Sequence, residues 1–255
     1  MKRRTNFRKC FGIIALAVVI GFSMAGCKDP EPAHVHDYEW TVTTPATCTA
    51  TGIETDTCSY NPSQHTRTQT IAINPNAHNW NTETGLCGNN CGELYYNLGD
   101  TGPGRGKIFY VSTEGFTMTD DNSTAHYLEA APSDMATGLA WASEDYISTN
   151  ISTGEAIGTG RKNTALILAT DANAPAAKAC KDYTDGGKTD WFLPSKDELN
   201  QLYVNRSTVG NMTSYWSSSQ PQGGEYSAWH QTFSNGYQNY DAKHFTVPVR
   251  AVRAF

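Results

Sequence analysis

A chain of 255 residues, 38% hydrophobic and only 17% charged, can bury one good core and carry a small appendage. Its formal net charge of -6 includes a basic leader, so the remainder is more acidic still and lacks the basic face that nucleic-acid binding needs. Abundant Gly, Ser, Thr, Asn and Tyr suit an exported, loop-rich body with short strands.

The leader holds Lys2, Arg3, Arg4, Arg8 and Lys9, then an apolar run from Ile13 to Phe22. A basic start, a short apolar stretch and small residues before a cut describe a secretory signal. The run is short for a transmembrane span, and no second one follows, so the body is expected to be soluble outside the membrane. Ala25-Gly26-Cys27 resembles a bacterial lipobox. The resemblance implies a signal peptide over residues 1–26, cleavage before Cys27, and acylation of that cysteine. Buried lipid methylenes, at about 0.8 kcal/mol each, would hold the protein on a membrane. The expected place is the cell envelope, lipid-anchored, on the periplasmic or cell-surface side. A plain signal peptide or an uncleaved anchor is the alternative. Residues 27–33 then form a polar, Pro-bearing tether.

Residues 34–97 are too poor in apolar side chains for an ordinary core. Their landmarks are His34, His36, Cys48, Cys58, His65, His78, Cys87 and Cys91. Small units of this kind need staples, either a metal or disulfides. A structural zinc site needs four sulfur or imidazole donors, and Cys58, His78, Cys87 and Cys91 form one set, with His36 and Cys48 as competitors. Export to an oxidising space favours disulfides instead, with Cys48–Cys58 and Cys87–Cys91 as local pairs, and spacing alone does not decide. Either way the expected role is structural, a post between membrane and head. The strings His36-Asp37-Tyr38-Glu39-Trp40, Ala46-Thr47-Cys48-Thr49-Ala50-Thr51-Gly52, Ala77-His78-Asn79-Trp80 and Cys87-Gly88-Asn89-Asn90-Cys91-Gly92 resemble a small Cys/His repeat of bacterial surface proteins. Where members of that repeat carry Cys-x-x-Cys-Gly, this chain has Cys58-Ser59-Tyr60-Asn61, which leaves His65 open as a replacement.

The second module spans residues 98–255. The glycines of Gly99 to Gly106 lack P-loop spacing and precede a strand, not a helix, so they read as a tight turn. Strands are expected at Lys107–Val111 and His126–Ala131. Asn163 is the expected cap of a helix through Leu168, and Pro175 opens a second piece, Ala176 to Tyr183. Gly186-Gly187 ends it. Ser195 and Glu198 then form a capping box that starts a helix with Leu199, Leu202 and Tyr203 on one face. Strands return at Tyr215–Ser219, Ser227–Phe233 and Val247–Phe255, the last beginning at an edge because of Pro248. The pattern is α+β, with the first and last strands side by side. Asp190 or Glu198 is the expected partner of Arg250 or Arg253.

The motifs Gly99-Asp100-x-Gly102-Pro103, Asn163-Thr164, Ala179-Cys180, Asp190-Trp191-Phe192-Leu193-Pro194-Ser195, Tyr215-Trp216-Ser217-Ser218 and Val249-Arg250-Ala251-Val252-Arg253 resemble one family. It is DUF1566, the C-terminal domain of the Legionella collagen-like adhesin. The resemblance implies a C-type-lectin-like fold, distantly related to the sulfatase-modifying factors. It transfers no catalytic residues, and it implies adhesion or ligand binding. The ligand would be a glycan or a protein. Trp216, Trp229 and His230 are the candidate ligand-binding residues, although tryptophans serve equally well as core. Calcium is not expected, since Gln220-Pro221-Gln222 lacks the carboxylate that a calcium lectin loop supplies. His126, His230 and His244 have no nucleophile beside them in sequence, and Cys180 lacks the partner cysteine of the sulfatase-modifying enzymes. An exported enzyme acting on polysaccharide or protein, or a purely structural envelope protein, are the alternatives.

Overall fold

The computed structural model describes residues 38–58, 66–210 and 213–255. The signal peptide, Cys27, the tether, His34, His36 and His65 lie outside the described residues, as does the side chain of Cys58.

The first module has two small sheets. β1 (Tyr38–Thr44), β2 (Gly52–Cys58) and β3 (Thr66–Ile71) form an antiparallel meander in the order β1-β2-β3. Threonine-rich strands suit this pleat, but Trp40, Val42 and Ile53 remain exposed, so the sheet has little core. Asp56, fully buried, is held by Arg67 at 2.5 Å. The second sheet is a minimal hairpin of β4 (Trp80–Asn81) and β5 (Leu86–Cys87). Two-stranded hairpins are marginal alone, and this one leans on the second module.

The second module is α+β, as expected. β6 (Lys107–Thr117) pairs with β7 (Thr124–Ala130), and β7 pairs with β13 (Val252–Ala254), in the sheet order β13-β7-β6. Both ends of the module therefore meet in one sheet. β8 (Ala136–Leu139) pairs with β12 (Val247–Val249), while β9 (Ser214–Trp216), β10 (Ser227–Thr232) and β11 (Gln238–Ala242) form a third sheet, in the order β11-β10-β9. Helices α1 (Gly160–Thr170), α2 (Pro175–Lys181), α3 (Lys196–Val204) and α4 (Arg206–Val209) lie between the strand groups.

Two large apolar clusters fill most of the module, and a smaller third joins Ile108 and Tyr127 to Tyr96. Trp141, Trp191, Trp216, Ile167 and Leu193 centre one. Phe109, Leu128, Phe192, Leu199, Leu202 and Tyr215 centre the other. The stretch Trp191-Phe192-Leu193 feeds both, because alternate side chains of an extended segment point to opposite faces. Its backbone is fastened by a two-way bridge between Phe192 and Val252, at 2.8 and 3.0 Å. Ser195 then starts α3 with the expected capping box.

Three expectations need correction. Asn163 does not cap α1; Thr159 stands at the cap position without a side-chain capping bond, and Asn163 lies inside the helix, with its amide bonded to both backbone groups of Gly154 at 2.8 and 2.7 Å. The final run is two strands rather than one, because Arg250 turns inward to Asp134 (2.7 Å) and to the Ala131 carbonyl (2.8 Å), and the chain changes sheet there. The strand at Tyr215 stops at Trp216, since the next amide, Ser217, bonds to Trp229 O, and Ser218 N turns to Pro194 O at 2.7 Å.

Buried charge ties the pieces together. The Glu129 carboxylate accepts hydrogen bonds from Gly104 N (3.1 Å), Gly106 N (2.6 Å) and Arg253 Nη1 (3.1 Å). Arg253 reaches Asp190 through two bonds of 2.9 Å, which settles its partner as Asp190. Glu198 serves a different purpose. Its carboxylate accepts from Ser195 N (2.7 Å), Gly158 N (2.8 Å) and Gly160 N (3.4 Å), joining α3 to the start of α1.

Burial pushes the Glu198 carboxyl up to about 7, and the amides of Ser195, Gly158 and Gly160 hold it back from rising further. A raised carboxyl stabilises the fold fully below its ordinary value near 4.5, and that contribution is lost as pH rises through about 7. The difference is on the order of 3 kcal/mol. Thermal unfolding between acid and neutral pH is expected to show a decline in stability over this range. Glu198→Gln should flatten it; an equally steep decline in the variant would rule the group out.

Candidate metal centre and ligand-binding face

The donors Cys48, His78, Cys87 and Cys91 lie within 4.8 Å of one another and can hold a metal ion such as zinc. Cys48 Sγ is 3.6 Å from Cys87 Sγ, and Cys91 Sγ is 3.3 Å from His78 Nδ1. In a tetrahedral zinc site, bond lengths of about 2.3 Å to sulfur and 2.1 Å to nitrogen give donor separations of about 3.5–3.8 Å. The donor types and their spacing therefore fit that ion.

Local structure explains the convergence. Cys48 sits in the loop between β1 and β2, which is tied to the segment before His78 by Cys48 N to Ala77 O (3.2 Å) and Asn74 N to Thr47 O (3.0 Å). His78 precedes β4, and Cys87 ends β5. Between Cys87 and Cys91 the chain turns through Asn90 in the left-handed region, at φ 55°, with Asn90 N bonded to Cys87 O at 3.0 Å. Asn89 Nδ2 lies 3.4 Å from Cys48 Sγ and donates to Ala77 O (3.2 Å), a second-layer contact that orients a sulfur ligand.

The described cysteines Cys48, Cys87, Cys91 and Cys180 are free thiols. Burial pushes the Cys87 thiol up, but hydrogen bonds from the Asn89 backbone, His78, Cys91 and the Asn79 backbone outweigh it and bring it down to about 6. Cys91 goes the other way. The Glu93 backbone pulls it down, but burial and the neighbouring Cys87 and Cys48 sulfurs prevail and raise it. The sequence placed Cys58 in the ligand set and Cys48 among the competitors; the structure groups Cys48 with the other three. Cys180, on α2, is buried in the first apolar cluster and is not part of this group, and burial strongly raises its thiol.

The candidate ligand residues separate. Trp216 is fully buried, with Nε1 donating to Leu139 O at 2.8 Å, so it is core. Trp229 and His230, successive residues of β10, face opposite sides of the sheet. Trp229 is half-buried; its Nε1 donates to Glu155 Oε1 (3.0 Å), and the Lys196 ammonium lies 4.1 Å from the centre of its ring. Lys196 also pairs with Glu155 Oε2 at 2.7 Å. Tyr240, opposite Trp229 on β11, meets it edge to face at 5.3 Å. His230 leans on Trp216 at 5.9 Å, with Nε2 3.0 Å from Asp241 Oδ2. Burial lowers its proton affinity, and Asp241 opposes that.

Sequence reasoning missed the aromatics around Trp229. Tyr226, Tyr237, Tyr240 and Phe245 are each more than half exposed. All lie on or beside the β10–β11 hairpin. The signal was the Ser234-Asn235-Gly236 turn, which implies a second strand after the first. His126 Nδ1 contacts Ser112 O at 2.9 Å, and His244 packs edge-on to Phe245 at 4.7 Å. Gln220 is engaged internally. Its Oε1 accepts from Ile151 N and from Lys243 Nζ, each at 3.0 Å, and its Nε2 donates to Asn150 Oδ1 at 2.7 Å. Buried Lys243 also donates to Thr149 O at 2.6 Å, so the chain supplies its own cation at this loop. Burial brings its ammonium down to about 8, with Glu225 resisting.

Residues 131–253 match the model of the Lcl C-terminal domain. This segment is similar to that family. Lcl is the Legionella collagen-like protein, and its C-terminal domain is the DUF1566 family that the motifs resemble. The matched stretch begins after β7, and β7 and β6 share a sheet with β13, which lies within it. The family points to a surface, adhesin-like protein. A comparison with curated proteins found no match. No helix among the described residues is long and apolar enough to cross a membrane.

For the centre, Cys48→Ser is expected to reduce zinc affinity by at least about tenfold, because it removes one of four donors, while Cys180→Ser leaves zinc content unchanged. Competition with a chromophoric chelator measures both. Equal affinity for Cys48→Ser and the parent chain would remove Cys48 from the set.

Proposed function

We propose that the chain is a surface-anchored bacterial lipoprotein whose Lcl domain binds an extracellular glycan or protein and performs no catalysis. The observation that carries this reading is the exposed aromatic hairpin: Tyr226, Tyr237 and Tyr240 beside the Trp229–Lys196–Glu155 clamp. Tyrosine gives large, rigid contact area at low entropic cost, and its hydroxyl tolerates water when no ligand is present. Ser, Asn and Gln dominate the rest of the hairpin, which suits adaptable hydrogen bonding.

The remaining parts fit around that face. Acylated Cys27 anchors the chain to the envelope, on the periplasmic or cell-surface side, and residues 27–33 act as a tether. Residues 34–97 are a post stapled by a structural zinc. Residues 98–255 form a C-type-lectin-like head. The acidic body has no role with nucleic acid.

One observation favours the second reading, an exported enzyme: His230 lies 3.0 Å from Asp241. Against it, the His230 side chain is only 11% exposed, and burial lowers its proton affinity. A base needs access to its substrate.

The test is binding of the full-length chain to immobilised host glycans, matrix proteins and bacterial polymers. Tyr240→Ala, which removes an exposed ring, is expected to weaken the positive interaction about tenfold with little change in melting temperature. An empty panel would favour a purely structural envelope protein, and turnover that depends on His230 would favour the enzyme.

A further inference from the structure

We infer that the metal centre fastens the first module to the Lcl domain: donors Cys48, His78, Cys87 and Cys91 shape the hairpin that docks on Tyr127 and Phe255. This rests on the zinc reading of the module above.

The joint is built from the same short hairpin that carries the donors. His78 stacks on Trp80 at 4.5 Å, and Trp80 meets Tyr95 at 5.5 Å. Tyr95 packs edge-on to Tyr96 at 4.8 Å. Tyr96 meets Tyr127 at 5.6 Å and the terminal residue Phe255 at 5.8 Å. Tyr127 and Phe255 stack on each other at 5.1 Å, on the sheet that unites both ends of the second module. A continuous line of rings thus runs from a donor to that sheet.

A polar line runs beside it. Gly85 stands two residues before Cys87, and its carbonyl accepts hydrogen bonds from the Tyr127 hydroxyl and from Tyr95 N, both at 2.9 Å. Tyr96 N is 3.3 Å from the Tyr127 oxygen, and the Tyr96 hydroxyl donates to Thr82 O at 2.6 Å. Gly85 has φ 66°, and a Cβ there would collide with the Tyr127 ring, so only glycine permits this approach. Lys188 adds an ion pair to Glu83 in the same hairpin.

The hairpin has two residues in each strand and little apolar burial of its own. Such a unit holds one shape only when cross-linked. The four donors come from the β1–β2 loop, from the residue before Asn79, from the end of β5 and from the turn after it. Binding one ion to all four fixes those segments, and with them the positions of Gly85 and Trp80 against Tyr127 and Tyr95.

Hydrogen exchange on the full-length chain, with zinc content measured in parallel, tests this. Stripping zinc with a chelator is expected to speed exchange at the Tyr95 and Tyr96 amides at least tenfold, while the Phe192 and Val252 amides hold. Tyr127→Phe removes the hydroxyl that bonds Gly85. This variant is expected to keep its zinc yet exchange faster at Tyr95 and Tyr96 than the parent. Zinc that binds and leaves without changing exchange at Tyr95 and Tyr96 would overturn the joint but not the zinc reading. A chain that takes up no zinc would overturn both.

Discussion

The second module is closed by one buried carboxylate. Glu129 on β7 receives two amides from the glycine turn at Gly104 and Gly106 and the guanidinium of Arg253 on β13. Arg253 in turn holds Asp190, at the head of the Trp191-Phe192-Leu193 stretch. The first turn, two strands of the shared sheet and the segment feeding both cores therefore meet at one point. The glycines are required there. A Cβ at Gly102 would lie 2.6 Å from the Glu129 carboxyl carbon, and one at Gly104 would lie 2.7 Å from the Trp191 ring. The turn does cradle an anion, as glycine-rich loops do, but the anion belongs to the chain. Removing one member of such a network leaves an unpaired charge in the interior, which costs about 3–5 kcal/mol.

Local signals were legible, and long-range ones were not. The box of Ser195 and Glu198 was readable because both halves lie within one helical turn. Pro175 at the start of α2 was readable for the same reason. Asn163 misled because its partner is Gly154, in a loop that only the fold brings near. β8 and β11 carry few strongly strand-forming residues, and pairing with β12 and β10 creates them. The break at Arg250 required knowledge of Asp134.

The candidate sites follow the same division. The sequence left residues 34–97 open between a metal site and disulfides, and its metal set of Cys58, His78, Cys87 and Cys91 shares His78, Cys87 and Cys91 with the group that the fold brings together. Cys48 joins them through backbone bonds from Thr47 and Cys48 to residues far along the chain, which spacing does not reveal. Trp216 and Trp229 look alike in sequence. The register of β9 against β10, which sets His230 opposite Trp216, turns one into core and leaves the other at the rim of an exposed tyrosine face. The Cys/His module meets the second module elsewhere, through the Tyr127 hydroxyl on Gly85 O.

The most direct test of closure by Glu129 is a double-mutant cycle in urea with Glu129→Leu, Arg253→Met and both together. Each single change is expected to cost about 3–5 kcal/mol. The double variant should lose clearly less than the two losses added, because neither charge is then left alone. Strictly additive losses, or an Arg253→Met chain as stable as the parent, would contradict the account.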